Sequence, residues 1–207
     1  MGSRGTGAQR SRVVQEAARI VCEDGLSDYR LAKQKAIDRL GLGFGTPMPS
    51  NADLHEAVIH YQRMFGGRAY VDRLSAMRHT AVKAMQMLAT FQPRLVGAVA
   101  TGATTDSHSV QLHCFADKPE QIDWLLQEKG IPFDVSERRY RYADDQTADI
   151  PVLSFMAADV GVSVAVFPER DPRRAPLSPV DGRPLKRLEL AAVEMLAAET
   201  PEALLTD

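Results

Sequence analysis

The segment RLVGAVATGATTDSHSVQLHCFA, residues 94–116, contains two short apolar runs joined by a loop rich in glycine and threonine. The first run, residues 94–100, is bounded by proline and glycine, which predicts a strand. In the second run, residues 109–116, polar and apolar residues alternate, as is typical of a strand with one buried face. The alternation places Val110, Leu112, Cys114 and Ala116 on one face and Ser109, Gln111, His113 and Phe115 on the other. The segment therefore predicts two strands of one sheet.

Apolar residues at helical spacing predict four helices before this segment, with stops at Gly25, Gly41, the Gly66-Gly67 pair and Pro93. Ser27 is expected to cap the second helix, and Ser50 with Asp53 has the spacing of a capping box for the third.

The chain after the segment predicts one helix, three strands and a last helix. Asp117 and Glu120 have capping-box spacing for a helix that ends at Gly130, with Trp124 packed against the sheet. The predicted strands cover residues 133–142, 150–156 and 162–168, and in the last of them Val162, Val164 and Val166 are expected on one face and Ser163, Ala165 and Phe167 on the other. A Pro-rich loop over residues 169–184 and the last helix over residues 188–196 follow.

Helices segregated from a mixed sheet predict an α+β protein. We expect a disordered tail over residues 1–10, a helical region over residues 11–70 and a sheet domain over residues 71–200. No internal repeat is present in the sequence.

Composition excludes several classes of protein. Of the 207 residues, 44% are hydrophobic and 25% charged, which is typical of a globular chain. Twenty-five basic residues against 27 acidic ones give a net charge of −2, which argues against coating nucleic acid through bulk charge. No apolar run approaches the roughly 20 residues that a membrane helix needs, and no apolar core follows the basic N-terminus, so we expect neither a membrane span nor a secretory signal. Cys22 and Cys114 lie far apart, which favours a reducing compartment, and the cytoplasm is the expected location.

The loop between the two strands carries residues that can hold a phosphate. Glycines let the backbone approach a phosphate closely, and amide and hydroxyl groups can then bind it. A strand with alternating polar residues can hold the metal ion on that phosphate. A plain turn is the competing interpretation, because the loop lacks the Gly-Lys-Ser/Thr of a Walker A motif.

The order of elements resembles the minimal nucleotidyltransferase domain of the DNA polymerase β superfamily. The family motif is hydrophobic-Gly-Ser, about ten residues, and then acidic-hydrophobic-acidic, with a third carboxylate from a later strand. Here Gly97-Ala98 stands at the Gly-Ser position and Ser109-Val110-Gln111 at the acidic positions. Ser163, within Val162-Ser163-Val164, stands at the third carboxylate.

Within this superfamily the chain resembles a group of short bacterial proteins. They share an N-terminal helical region, this domain and a Pro-Val-Asp-Gly-Arg-Pro segment, here Pro179 to Pro184. Some of them carry the name UDP-N-acetylmuramate–alanine ligase, but an ATP-dependent ligase of that type needs a P-loop that this sequence lacks.

The resemblance implies a binding protein without a catalytic site. Active members hold two Mg²⁺ ions through three carboxylates, and the metals position and neutralise the triphosphate. Ser109, Gln111 and Ser163 offer only neutral oxygens, and Ala98 lacks the hydroxyl of the motif. We therefore expect a non-catalytic copy that binds a nucleotide, a nucleic acid or another partner, with Mg²⁺ as a cofactor only if the protein is active. The implied nucleotide-binding residues are Gly97, Ala98, Thr101, Gly102, Thr104, Thr105 and His113.

Two alternatives stay open. The first is an active Mg²⁺-dependent nucleotidyltransferase that uses non-standard ligands, with Asp106 as a metal ligand. The second is a DNA-binding regulator that uses the N-terminal helices, where residues 1–45 contain eight Lys or Arg against five Asp or Glu.

Two arginine clusters have a functional and a structural interpretation. They comprise Arg138, Arg139 and Arg141 beside Tyr140 and Tyr142, and Arg170, Arg173 and Arg174 in the Pro-rich loop. Phosphate or RNA binding with tyrosine stacking is one interpretation. The favoured interpretation is structural: the first cluster protects an edge strand by its charge, and the second lies in a solvated loop.

Overall fold

The computed structural model describes residues 3–43, 46–170 and 172–205, and within these ranges it contains eight α-helices and five strands. The helices are α1 (Ser3–Glu23), α2 (Tyr29–Arg39), α3 (Asn51–Phe65), α4 (Gly67–Met87), α5 (Ala98–Thr101), α6 (Glu120–Glu128), α7 (Leu190–Ala197) and α8 (Pro201–Leu205). The strands are β1 (Arg94–Val96), β2 (Val110–Ala116), β3 (Phe133–Arg141), β4 (Thr147–Ala157) and β5 (Val160–Pro168). The predicted α+β class is confirmed. None of the helices in the described ranges has the length and apolar character of a membrane span.

Helices α1, α2 and α3 pack around a second hydrophobic cluster, centred on buried residues such as Val13, Ile20, Ala36 and Leu54 and joined by Ala103 from the loop before β2. The predicted capping box starts α3. The Ser50 hydroxyl accepts a hydrogen bond from the Asp53 amide at 3.0 Å, and the Asp53 carboxylate accepts one from the Ser50 amide at 3.2 Å.

Gly66 separates this helical cluster from the helix that supports the sheet. A Cβ at Gly66 would lie 2.5 Å from the Gln62 carbonyl oxygen and 2.6 Å from Tyr70 Cβ, so the junction has no space for a side chain. The next helix, α4, packs on β2, β5 and α7.

The five strands form one mixed sheet in the order β1-β2-β5-β4-β3. Strands β2 and β5 are parallel, and the other neighbouring pairs are antiparallel. One face, the helix-covered face, carries Leu112, Val164 and their neighbours in a core shared with α4, α6 and α7. The opposite face carries Gln111, His113 and Phe115 of β2 with Ser163, Ala165 and Phe167 of β5. The alternation predicted for these two strands is confirmed.

The predicted strand over residues 94–100 is wrong beyond Val96. Gly97 adopts φ 76° and ψ −153°, and the chain then turns into the one-turn helix α5. Such positive-φ backbone is open almost only to glycine, so the strand cannot continue through it. The alanines that follow favour a helical turn over a strand.

The disordered tail predicted for residues 1–10 is wrong over residues 3–10, which belong to α1, while Met1 and Gly2 lie outside the described residues. Extending a helix beyond its packed part costs little, and Arg10 forms an ion pair with Asp53 of α3. Phe44 and Gly45, which lie between the predicted stop at Gly41 and the predicted cap at Ser50, also lie outside the described residues, as do Asp171 of the Pro-rich loop, Thr206 and Asp207.

Three details of the predicted helices are wrong. Asp28, not Ser27, caps α2, by accepting from the Leu31 amide. No side chain caps α6, because its N-cap is Pro119 and Asp117 and Glu120 therefore do not stand at the N-cap and N3 positions of a capping box. Trp124 of this helix is 64% exposed instead of packed against the sheet.

The C-terminal part adds one element that the sequence did not predict. The short helix α8 follows Pro201, and its Leu204 packs with Tyr70, Val71 and Leu74 of α4.

Candidate functional site

The chain at the end of β1 lies close to β2, and Gly97 allows this approach because it has no side chain. A Cβ at Gly97 would lie 2.8 Å from Oε1 of Gln111, so the Gln111 side chain occupies the space beside the Gly97 backbone. This contact places Gly97, of the predicted Gly97-Ala98 motif, directly against Gln111, the second of the three positions predicted to replace carboxylates.

The three positions predicted to replace carboxylates lie together. Gln111 of β2 and Ser163 of β5 are direct partners in the parallel pair, so their side chains lie on the same face. Ser109 comes two residues before Gln111, and a Cβ at Gly161 would lie 3.4 Å from Ser109 Cβ. The structure therefore brings Gly97, Ser109, Gln111 and Ser163 to one end of the opposite face.

The same register continues across the sheet to two residues that sequence reasoning missed. Ser163 is paired with Ser154 of β4, and Ser154 is paired with Asp134 of β3. Gln111, Ser163, Ser154 and Asp134 thus form a cross-strand row, called here the polar row. At strand spacings near 4.8 Å, its outer Cα atoms are about 14 Å apart. Alternation along each strand could have flagged both residues, but only the register shows that they are neighbours.

The polar row offers hydrogen-bonding groups that the protein does not use. Gln111, Ser163 and Ser154 are half-buried, and Asp134 is exposed. Within the described part of the chain, none of these four side chains forms a hydrogen bond or ion pair with another residue. Because these side chains are open to solvent, water or a ligand can satisfy them.

The loop between α5 and β2 packs inward against α3 and α4. Gln62 Nε2 donates to the Thr104 carbonyl at 2.9 Å, and Tyr70 Oη donates to the Gly102 carbonyl at 3.0 Å. Thr104 is 0% exposed and Thr105 1%. The Thr105 hydroxyl is hydrogen-bonded to Ser107 Oγ and to His108 Nδ1. The two threonine side chains therefore lie below the surface.

The other predicted loop residues lie in a tight helical turn. The exposed Thr101 hydroxyl donates to the Ala98 carbonyl at 3.3 Å, and the Gly102 amide donates to the same carbonyl at 2.8 Å. Gly102 has φ 91° and is buried, whereas Ala98 and Gly97 are half-buried next to the polar row.

Asp106, the proposed metal ligand of the active alternative, forms an ion pair with Arg73 of α4. The Arg73 Nη1 to Asp106 Oδ1 distance is 2.7 Å, and the Asp106 side chain is 88% exposed. To act as a metal ligand, this carboxylate would first have to leave the guanidinium.

His113 is 2% exposed and lies under the Pro-rich segment. Arg187 Nε donates to His113 Nδ1 at 3.1 Å, and the imidazole ring packs 4.5 Å from the Phe167 ring centre. Burial, together with the charges of Arg187 and Arg138, lowers the pKa of His113 to about 3. The imidazole is therefore neutral, and its hydrogen-bond partner is Arg187 of the same protein.

Two further histidines lie near the N-terminal end of α3 and the inward-packed loop. His108 Nδ1 accepts from the Thr105 amide at 3.1 Å, so the neutral ring carries its proton on Nε2. His55 Nδ1 is hydrogen-bonded to Tyr29 Oη at 3.0 Å. Burial lowers the pKa of both histidines.

The first arginine cluster lies on an edge strand, since β3 is the outermost strand of the sheet. Arg139 forms a two-pronged ion pair with Asp149 of β4, at 2.8 and 3.0 Å. Arg174, from the second cluster, pairs with Asp144 and lies 4.2 Å from the Tyr142 ring centre. Arg138, Arg141, Arg170 and Arg173 are exposed.

Several basic residues of the N-terminal helices have partners inside the protein. Arg19 pairs with Glu16 and Glu23, and Arg39 pairs with Asp24. The buried Lys33 donates to the Pro49 carbonyl and to Asn51 Oδ1, both at 2.8 Å. These contacts reduce the charge that the helices can offer to DNA.

The donor set of Ser109, Gln111 and Ser163, the three positions predicted to replace carboxylates, does not fit Mg²⁺. This ion requires hard anionic oxygens in an octahedral arrangement, whereas Ser109, Gln111 and Ser163 supply neutral ones. Over residues 3–43, 46–170 and 172–205, no group of three or more His, Cys, Asp or Glu residues is placed to hold a metal ion.

No family model matches the chain, and no curated protein matches it significantly.

Proposed function

We propose that this protein is a nucleotidyltransferase-like protein of the DNA polymerase β type in which neutral side chains replace the metal-binding carboxylates. It binds a nucleotide or another partner at the end of its sheet and does not transfer nucleotides. Gly97, Ala98 and the polar row form the binding surface. Thr104, Thr105 and His113 are buried beside this surface and do not contact the ligand directly.

One observation carries the proposal. Gly97, Ser109, Gln111 and Ser163 come from separate parts of the sequence, yet they meet on one face at one end of β1, β2 and β5. The motif of the superfamily requires this convergence, because its carboxylates must share the same metal ions. A chance similarity in spacing gives no reason for these residues to meet on one face, so their convergence supports the proposal.

The chemistry of the same residues argues against catalysis. In-line nucleotidyl transfer needs cations that neutralise the charge on the transferring phosphate. Changes that only orient metal ligands cost about 10–100-fold in affinity or activity, and loss of the ligands themselves costs more. With hydroxyl and amide groups in place of three carboxylates, the site keeps hydrogen-bonding capacity but has no anionic metal ligand at those positions.

We place the protein in a reducing compartment, the cytoplasm. Cys22 and Cys114 are both free, and they lie in different regions: Cys114 in the sheet core, Cys22 against the helical cluster. Cysteines of this kind are typical of proteins that do not rely on disulfides.

Calorimetric titration with ATP and GTP, with and without Mg²⁺, tests the proposed function. We expect any binding to be independent of Mg²⁺ and no pyrophosphate to be released. Metal-dependent binding with pyrophosphate release would establish the active alternative, and Asp106→Asn would then show whether Asp106 recruits the metal.

The regulator alternative requires a separate measurement. Binding of a DNA duplex at low ionic strength that weakens with added salt would support the N-terminal helices as a DNA interface. We expect no such binding, because Arg19, Arg39 and Lys33 are engaged within the protein.

A further inference from the structure

The polar row ends in a small cavity that the proposed function leaves without a role. The cavity has a volume of about 260 Å³ and is lined by Pro132, Phe133, Asp134, Ser154, Phe155 and Met156. Pockets for drug-sized ligands have volumes of about 300–1,000 Å³, so this cavity suits part of a nucleotide and not a dinucleotide.

The groups along the row differ in charge from those of a triphosphate site. Gln111, Ser163 and Ser154 carry no charge, whereas Asp134, the residue at the cavity, carries a carboxylate group. A polyphosphate would bring several negative charges towards this carboxylate, with no metal ligands at the family positions to compensate. The row therefore disfavours the phosphate end of a nucleotide.

The same groups suit a neutral ligand that carries hydroxyls. A carboxylate accepts hydrogen bonds from vicinal hydroxyls, while serine and glutamine side chains both donate and accept. Met156 is 62% exposed beside the carboxylate, and its thioether side chain offers an apolar contact for a flat ring.

We infer that the cavity over the start of β3 and the end of β4 binds the nucleoside part of the ligand. Asp134 accepts hydrogen bonds from the ribose hydroxyls, and Ser154 and Ser163 continue the contact towards Gln111. This inference rests on the proposed function, because it assigns a ligand class to the same face. It adds Asp134, Ser154 and Met156 to the binding residues, and it predicts selection for ribonucleosides over their triphosphates.

Titration of the full chain with ribonucleosides, followed by amide NMR shifts, tests the inference. Adenosine, guanosine, cytidine and uridine are each compared with the 2′,3′-dideoxynucleoside and with the triphosphate without metal. We expect at least one ribonucleoside to shift the amides of residues 132–134 and 154–156, and to bind more tightly than its dideoxy and triphosphate forms.

The variant Asp134→Asn separates this role from a general effect on the sheet. Losing a charge-assisted hydrogen bond should weaken ribonucleoside binding about tenfold and should remove the preference over the dideoxy form. Asp145→Asn is the matched control, because it removes an exposed carboxylate at the other end of the β3–β4 hairpin, and it should bind as the wild type does.

The possible failures are distinguishable. Absence of binding by all four ribonucleosides would overturn the inference, and so would metal-free triphosphate binding that is tighter and insensitive to Asp134→Asn. Both results leave the proposed non-catalytic function standing. Mg²⁺-dependent triphosphate binding with pyrophosphate release would instead refute the proposed function itself.

Discussion

Arg187 and His113 connect the Pro-rich segment to the sheet. Arg187 Nε donates to His113 Nδ1 at 3.1 Å, and the guanidinium carbon lies 4.9 and 5.1 Å from the ring centres of Phe167 and Phe115. Arg187 Nη1 also donates to the Pro172 carbonyl at 2.9 Å, so one side chain joins the segment to the aromatic part of the opposite face.

Arg187→Ala should loosen this segment. A hydrogen bond from a charged donor contributes about 1.5–3 kcal/mol, so we expect the free energy of unfolding to fall by about 2–3 kcal/mol. Chemical denaturation measures the loss, and hydrogen exchange should become faster over residues 172–188. The neighbouring exposed Lys186→Ala is the control. Unchanged exchange in the segment of Arg187→Ala would show that other contacts hold it.

Stability should fall as the pH decreases below 6.5, in part because of His113. The pKa of His113 is lowered to about 3 by burial and by nearby arginines, whereas the unfolded chain protonates this group near 6.5. Between these values the unfolded state binds the extra proton, so His113 alone should cost about 1.4 kcal/mol of stability per pH unit.

His113→Asn tests this slope, because the amide oxygen can still accept from Arg187 but does not titrate. Denaturation midpoints measured from pH 7 to pH 4 should fall less steeply for this variant than for the wild type. His55 and His108, whose pKa values burial also lowers, should maintain a smaller slope of the same sign. Identical slopes for variant and wild type would mean that His113 is protonated in the folded protein.

Gly97→Ala should lower the free energy of unfolding for two separable reasons. The backbone at φ 76° and ψ −153° is strained for any side chain, and the new Cβ would lie 2.8 Å from Gln111 Oε1. We expect a loss of about 2–3 kcal/mol. The loss should shrink in a Gln111→Ala background, which removes the contact and leaves the strain.

Gly130→Ala is the matched control for Gly97, since Gly130 has φ 65° but no atom within 4 Å of an added Cβ. It should cost only about 1–2 kcal/mol. Equal costs for both glycines, with no effect of Gln111→Ala, would contradict the close approach of Gly97 and Gln111.

Tyr70→Phe should release the loop that packs on α3 and α4. The phenol of Tyr70 is buried and donates to the Gly102 carbonyl at 3.0 Å, which would then lack this partner. We expect a loss of about 1–2 kcal/mol and faster amide exchange over residues 101–106. Tyr61→Phe, which removes a hydroxyl bound to Glu23, should leave the exchange of this loop unchanged.

Local patterns in the sequence predicted the parts of the fold that depend on local rules. The alternation in residues 110–116 and 162–167 assigned each residue to the face on which it lies, and Ser50 with Asp53 predicted the start of α3. The strand over residues 94–100 was too long, because apolar residues after Gly97 are compatible with a buried helical turn as well as with a strand.

The site depended on information that no local pattern contains. Thr104 and Thr105 have the side chains of a phosphate loop, but Gln62, Tyr70 and Arg73 from two distant helices draw that loop inward. Ser154 and Asp134 join the polar row only through the register of β3, β4 and β5, which pairing across the sheet decides.

Titration with Mn²⁺, followed by electron paramagnetic resonance, tests most directly whether neutral side chains occupy a metal-binding position. The wild type is compared with Ser109→Asp/Gln111→Asp/Ser163→Asp, and with Gln111→Asp/Ser163→Asp in case three neighbouring carboxylates prevent folding. Thr90→Asp/Gln127→Asp/Thr147→Asp, at exposed positions in other parts of the fold, controls for the added charge. We predict no bound Mn²⁺ in the wild type or the control, and binding at least about tenfold tighter in the carboxylate variants. Tight binding by the wild type, or carboxylate variants that bind no better than the control, would contradict the account.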